Sequence, residues 1–346
     1  MSGFRGRLAA VGFTLFTVIV SLAMLDSSST AIDVVVNNLQ RLPQQLFHLP
    51  RNAVALSPAL FILGSGWCSG NRLIRALGLV SPARGMKLCS ELVVGVAIWI
   101  CVALALGALG LHYLPIIFAI GSAGVAFAAI VVVRNIRRDG IAWRDLPNFS
   151  ALNSISIGVI AFNAWLTLQS ALEPEVAFDA RRHHLTEALR FAQAHRIFDL
   201  VPIEHMIYAG FAHYQTVIYA VCWLMGGMIA AKAKALFVGL IAIATLVAFV
   251  QSTFDNVRAA LFAGVIFSST PIVAWSMTTA STDLPTVAFA LVAFVMIVRW
   301  RESRRHRWLA GAGALLGVAI GIKAFALEST PFAISETNAC SSVRPP

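Results

Sequence analysis

Long apolar runs broken by short basic clusters set the pattern of this chain. The runs fall at 8–25, 53–67 (the most polar of them), 92–111, 113–133, 152–172, 207–230, 235–250, 259–276, 284–298 and 308–327. Most approach the ~20 residues that a helix needs to cross a ~30 Å hydrocarbon core. A lipid-facing backbone has to satisfy its own hydrogen bonds, so these runs predict helices. The expected fold is an all-α integral membrane protein, a polytopic transmembrane helix bundle with an outer loop that carries interfacial helices.

Basic residues in short loops mark the inner side of a bilayer. Arg5 and Arg7 place the N-terminus inside, with the first run as an uncleaved helix, since no small-residue cleavage site follows it. Arg72, Arg75, Arg84 and Lys87 form a second inner loop, and Arg134, Arg137, Arg138 and Arg144 a third. The segment 173–206 then falls outside. If 207–230 crossed fully, Arg299, Arg301, Arg304, Arg305 and Arg307 would lie outside as well. If it stays at the outer side as a re-entrant or interfacial helix, that arginine run returns inside. His213, Tyr214, Gln215 and the Gly226-Gly227 pair favour this second arrangement, because irregular backbone survives at membrane depth where protein buries it. It also brings the turn 278–283 to the side of the loop 173–206.

Composition agrees. Of 346 residues, 58% are hydrophobic and 12% charged, with a mean hydropathy of +0.79, whereas soluble domains carry about 25% charged residues. The net charge of +10 resides in clusters between apolar runs, so it reads as membrane orientation and excludes a nucleic-acid partner. Cys68, Cys89, Cys101, Cys222 and Cys340 show no metal or redox spacing and read as packing residues.

Candidate chemistry concentrates in the loop 173–206. It holds Glu173, Glu175, Asp179, Glu187, Asp199 and Glu204, out of 16 acidic residues in the chain, and His183, His184, His195 and His205, out of 8 histidines. A plain connector needs none of these. Leu185, Ala188, Leu189 and Ala192 recur at helical spacing and predict a helix resting on the membrane surface, with His183, Glu187 and Arg190 on its other face. Asp179 precedes this helix as either an N-cap or a general base or metal-binding carboxylate, and the two roles are compatible. The adjacent His183 and His184 point to different faces and complete no ligand pattern, so hydrogen bonding at the interface accounts for them; no metal site and no cofactor is expected.

Two further charged residues stand out. Asp283 follows a short polar turn, as an N-cap before Pro285 or as a second functional acid. Lys323 stands within an apolar stretch, where a charge costs roughly 2.5–3.5 kcal/mol. It either snorkels to the headgroups or pairs with a lipid phosphate.

The order of local patterns from about 178 to 327 resembles the GT-C superfamily of polytopic glycosyltransferases, in its protein-mannosyltransferase and aminoarabinose-transferase branch. The residues are Phe178-Asp179-Ala180-Arg181-Arg182-His183-His184-Leu185, then Ala231-Lys232-Ala233-Lys234-Ala235-Leu236, then Asn256-Val257-Arg258-Ala259-Ala260-Leu261 with Ser269-Thr270-Pro271, the turn before Asp283, and Gly317-Val318-Ala319-Ile320-Gly321-Ile322-Lys323. The resemblance implies transfer of a sugar from a polyprenyl-phosphate donor to an acceptor hydroxyl on a glycan, lipid or protein, at the outer face of a bacterial-type inner membrane. It implies Asp179 as base, Asp283 as second acid and Lys323 as phosphate partner. Arg181, Arg182, His183 and Glu187 complete the expected substrate-binding set.

The chain departs from the family by carrying His183 where relatives have an aromatic residue, and by placing no second acid beside Asp179 unless Glu175 or Glu187 serves. Relatives also continue through further helices beyond Lys323, so this chain is expected to be short at its C-terminal end. The resulting division is 1–150 as N-terminal helices outside the resemblance, 151–327 as the GT-C-like region, and 328–346 as a polar tail. A transporter or flippase is the rival class, and a non-catalytic membrane protein the third. Transporters place ionisable groups near the bilayer midplane on paired repeats, whereas the runs 235–250 and 259–276 hold no charge.

Overall fold

The computed structural model describes residues 49–81, 83–139, 151–200 and 214–329. The expected first span, Arg144, the loop end 201–206 with Glu204 and His205, His213, and the tail beyond Ser329 lie outside these residues. Every regular element described is helical. In chain order they are α1 (Leu49–Ala76), α2 (Arg84–Ala108), α3 (Leu114–Asp139), α4 (Ala151–Ala171), α5 (Leu185–Ala194), α6 (Tyr214–Phe254), α7 (Val257–Ser269), α8 (Pro271–Thr278), α9 (Asp283–Ser303) and α10 (His306–Ile322). A π-turn at Ala180–His184 leads into α5, and a 3-10 turn at Ala324–Ser329 follows α10.

Four of these helices, α2, α4, α6 and α9, are long and apolar enough to cross a membrane. The pair α7–α8 makes a fifth if counted as one span bent by 66°. The bend corrects the single run 259–276 expected from hydropathy. Thr270 is extended there and Pro271 opens α8, since proline suits a first helical position but cannot continue the helix before it. The weak run 53–67 also proves longer, as α1 absorbs Arg72 and Arg75 into its last turns.

The helices alternate between two ends of the bundle. At the basic end, Arg307 lies across the turn after α1, so close that a Cβ at Gly78 would fall 2.2 Å from its guanidinium. Arg84 opens α2 and Arg301 closes α9 at that end. At the opposite end the connection 109–113, the loop 172–200, the turn before Asp283 and Lys323 come together. This end is called the site end below.

Small residues let α1 and α2 approach. A Cβ on Gly95 would lie 2.2 Å from the Gly66 carbonyl oxygen, and one on Gly70 2.0 Å from the Glu91 carbonyl oxygen, the close-contact packing that membrane helices use in place of a hydrophobic drive. The buried Glu91 carboxylate accepts from Trp67 Nε1 at 2.9 Å and Asn71 Nδ2 at 2.7 Å, so this charge is partnered across the same interface. Cys68, Cys89 and Cys222 are buried as packing residues, while Cys101 is exposed and lines an apolar groove of about 420 Å³ between α1, α2, α9 and α10.

Within α6 the helix breaks at Gly226-Gly227. Gly227 has φ 69° and ψ −158°, a combination that only glycine adopts readily. The arm 214–225 is about 18 Å long at 1.5 Å per residue, too short for the hydrocarbon core. All its partners sit at the site end: a Cβ on Gly321 would meet the Tyr214 ring, and Tyr219 Oη donates to Ser281 O at 2.6 Å. The second arm, 228–254, runs back to the basic end, where Ala248 approaches Gly85.

Candidate functional site

The site is built by four segments that the sequence separates widely. The loop after α4 brings Glu175 and Asp179, the π-turn brings His183 and His184, the turn before α9 brings Asp283, and the end of α10 brings Lys323.

Two lysines in the second arm of α6 hold this end together. Lys232 Nζ donates to Ser170 O at 3.0 Å, beside the Glu173 amide that also donates there, and to Glu173 O at 2.7 Å, so it ties the end of α4 and the loop after it to α6. Lys234 is fully buried and donates to Gln215 Oε1 at 2.9 Å, which fixes the two arms of α6 to each other. In the sequence these lysines stand only as a lead into a helix. Their signal was present, since two charges within an apolar run require partners.

Glu175 joins the loop to the acid-bearing turn. Its Oε1 accepts from the Val176 and Ala177 amides, both at 3.0 Å, and its Oε2 from the buried Ala280 amide at 2.8 Å. With both oxygens used in this way, Glu175 is a structural clamp and not a spare second acid.

Asp179 is exposed and helical (φ −62°, ψ −41°), with no side-chain capping bond. The N-cap reading is corrected for it: the helical backbone already begins at Phe178, and the Asp179 side chain makes no capping bond. Asp283 is not a cap either. Thr282 occupies that position and Asp283 is the first residue of α9, where a carboxylate is favoured by the helix dipole. Its Oδ1 accepts a hydrogen bond from Lys323 Nζ, and both side chains are partly exposed. Lys323 ends α10 in an extended conformation, so it does not merely snorkel: it has a protein partner.

His184 lies among these groups. Burial pushes its pKa below the ordinary value, against the opposing pull of Glu187, Asp179 and Asp283 and with a smaller push from His183. Both proposed acids therefore bear on one imidazole, a role that local spacing does not assign to His184. Phe178 packs edge-on to His183 at 6.4 Å.

Two expectations about α5 are corrected. Leu185, Ala188 and Ala192 are buried in the protein core, not laid on a membrane surface, because the first arm of α6 covers them. Glu187 is buried too and accepts from Thr216 Oγ1 at 3.5 Å, so it does not share an open face with His183 and Arg190. The five-residue π-turn shifts the register ahead of α5, and a plain helical count misses that shift. Arg181, Arg182 and Arg190 line a separate recess of about 410 Å³ with Val176, Phe178 and Thr186.

His195 and His112 lock the loop to the connection after α2. The His112 amide donates to His195 O at 3.0 Å, His195 Nδ1 lies 2.9 Å from His112 O, and His195 stacks on Tyr113 at 4.2 Å. Burial lowers the pKa of His112 as well, helped by His195 and opposed by its hydrogen bond to Ala103 O. Among the described residues no group of three or more His, Cys, Asp or Glu side chains is placed to hold a metal ion.

Residues 209–334 match the family model of dolichyl-phosphate-mannose-protein mannosyltransferase. Over that stretch, which is under half of the chain, the sequence is similar to that family. The matched residues contain both arms of α6, the turn with Asp283 and the α10–Lys323 segment, and they leave the loop bearing Asp179 outside. The match points to a membrane glycosyltransferase of the mannosyltransferase type, in a family whose members use lipid-linked sugar donors. No curated protein and no solved structure matches the chain.

Proposed function

We propose that the chain transfers a sugar from a polyprenyl-phosphate donor to an acceptor hydroxyl at the outer face of the membrane. The observation that carries this reading is the convergence of Asp179, His184, Asp283 and Lys323 at one end of the bundle, away from the arginine-rich loops. Asp179 is the exposed carboxylate and takes the acceptor proton as its oxygen attacks the anomeric carbon. The bond from that carbon to the phosphate oxygen breaks, and its electron pair leaves on the polyprenyl phosphate. Lys323 then meets the added negative charge, with Asp283 holding its ammonium until the phosphate arrives.

The test is release of polyprenyl phosphate from radiolabelled lipid-linked mannose, glucose and aminoarabinose in proteoliposomes holding the full chain. Turnover of one donor, lost by at least about a hundredfold in Asp179→Asn with donor binding retained, is expected for a removed general base. An Asp179→Asn variant with parental turnover would overturn the assignment of the base. Cysteine labelling at Ser281→Cys from the outer side tests the orientation, and protection from outside would place the site on the wrong face.

A further inference from the structure

A recess is lined by Val176, Phe178, Arg181, Arg182, Thr186 and Arg190, and none of Asp179, His184, Asp283 and Lys323 is among its lining residues. Thr186 and Arg190 lie four residues apart on α5 and Arg182 lies in the π-turn before it, while Leu185, Ala188, Phe191 and Ala192 of α5 are buried. Its volume of about 410 Å³ equals the share of roughly a dozen water molecules, ample for a headgroup.

The guanidinium groups of the adjacent Arg181 and Arg182 at this recess repel each other at every physiological pH, because arginine does not deprotonate. Among the described residues neither Arg181 nor Arg182 forms an ion pair. An anion relieves that repulsion, and the arginine fork matches the oxygens of a phosphate. The rim adds a second, independent cue. Val176 and Phe178 are 83% and 73% exposed, so two apolar side chains stand uncovered beside the charges, at the end of a membrane-crossing bundle. Apolar side chains beside basic heads suit the boundary between acyl chains and headgroups. A soluble anion would engage the arginines and leave Val176 and Phe178 in water.

We propose that this recess binds the phosphate of an anionic phospholipid from the leaflet at the site end. Arg181, Arg182 and Arg190 hold the phosphodiester, and Val176 and Phe178 sit among its acyl chains. The bound lipid would fix the height of the loop above the bilayer, and hence that of Asp179, two residues before the arginine pair. This proposal does not rest on the transfer reading, since its site and its ligand differ from those of the donor.

Native mass spectrometry of the full chain released from nanodiscs tests it. The discs contain equal phosphatidylglycerol and phosphatidylcholine. The parent chain is expected to retain phosphatidylglycerol preferentially, and Arg181→Gln/Arg182→Gln/Arg190→Gln to lose that preference by about tenfold or more. Should the triple variant fail to fold, Arg182→Gln alone, at an exposed position, is expected to lose about threefold. Arg299→Gln at the basic end is the control and should retain the lipid. Equal retention of the two lipids, or unchanged retention in the folded variants, would overturn the proposal. Competition arms separate the sources: displacement by glycerol phosphate at similar concentration would make the ligand a soluble phosphate. Displacement by polyprenyl phosphate, with phosphatidylglycerol ineffective, would assign the recess to the donor. Either result rejects the phospholipid site.

Discussion

Replacing Glu175 by Gln isolates the contact that joins the loop of Asp179 to the turn of Asp283. The carboxylate accepts three amide hydrogen bonds, from Val176, Ala177 and Ala280. A glutamine has one oxygen, and kept on Val176 and Ala177 it turns its own N–H₂ toward the Ala280 amide. Ala280 is fully buried, so that amide loses its partner in a place water does not reach. A buried donor left unsatisfied costs about 1–3 kcal/mol, and bonds to a charged acceptor lie toward the upper part of that range. Taking about 2 kcal/mol, the equilibrium for opening the clamp rises about thirtyfold. The assay is the labelling rate of Ser281→Cys by a polar maleimide, in a chain whose native cysteines have been replaced. Ser281 is 7% exposed, so labelling requires opening. A rise of ten- to fiftyfold with little change in global unfolding is the expected result. A rate within twofold of the parent would show that Glu175 does not hold the two segments together.

Other outcomes follow from the same structure. Gly227→Ala forces a side chain into a glycine-only backbone region and should cost about 1–3 kcal/mol of stability, measured by thermal unfolding in detergent. Gly95→Ala places a methyl group against the Gly66 carbonyl and should destabilise the α1–α2 pair by about 1–3 kcal/mol; a neutral result would mean that the helices separate freely. The Asp283–Lys323 pair, 39% exposed on each side chain, should show a double-mutant coupling of only about 0.2–1 kcal/mol toward folding, and most of it should vanish near 1 M salt. His184 and His112 have depressed pKa values, so the folded chain binds fewer protons than the unfolded one. Their contribution is fully present above the ordinary value of 6.5 and is lost as pH falls below it. His184→Gln should therefore flatten the decline in stability between about pH 7 and pH 5, and an unchanged slope would count against a buried neutral imidazole.

Hydropathy and charge made the bundle legible, because solvation in lipid is written into every crossing helix. The parity of arginine clusters calls for 207–230 to stay on the outer side, and the backbone break at Gly226-Gly227 falls inside that segment. What hydropathy hides are breaks that keep composition constant. Thr270-Pro271 bends an apolar run without changing its apolarity, and the π-turn at Ala180–His184 shifts the register of His183 against α5. At the candidate site Asp179, Asp283 and Lys323 stand out as charges where few are expected. The pairing of Lys323 with Asp283, the clamp at Glu175 and the position of His184 depend on contacts between segments far apart in the chain, and local spacing carries no record of those.

The glycine pair in α6 also bears on how the protein is made. A translocon reads a nascent chain by its apolar length, and 41 residues from Tyr214 to Phe254 would form a rod of about 62 Å, twice a bilayer core. Without the break, the machinery would have to tilt that rod steeply or thread its first arm across. In the second case every later helix would insert upside down, stranding Asp283 and Lys323 in the compartment opposite Asp179. On the topology that the arginine clusters call for, two residues without side chains would decide the sidedness of the whole C-terminal third during synthesis, before any substrate is met.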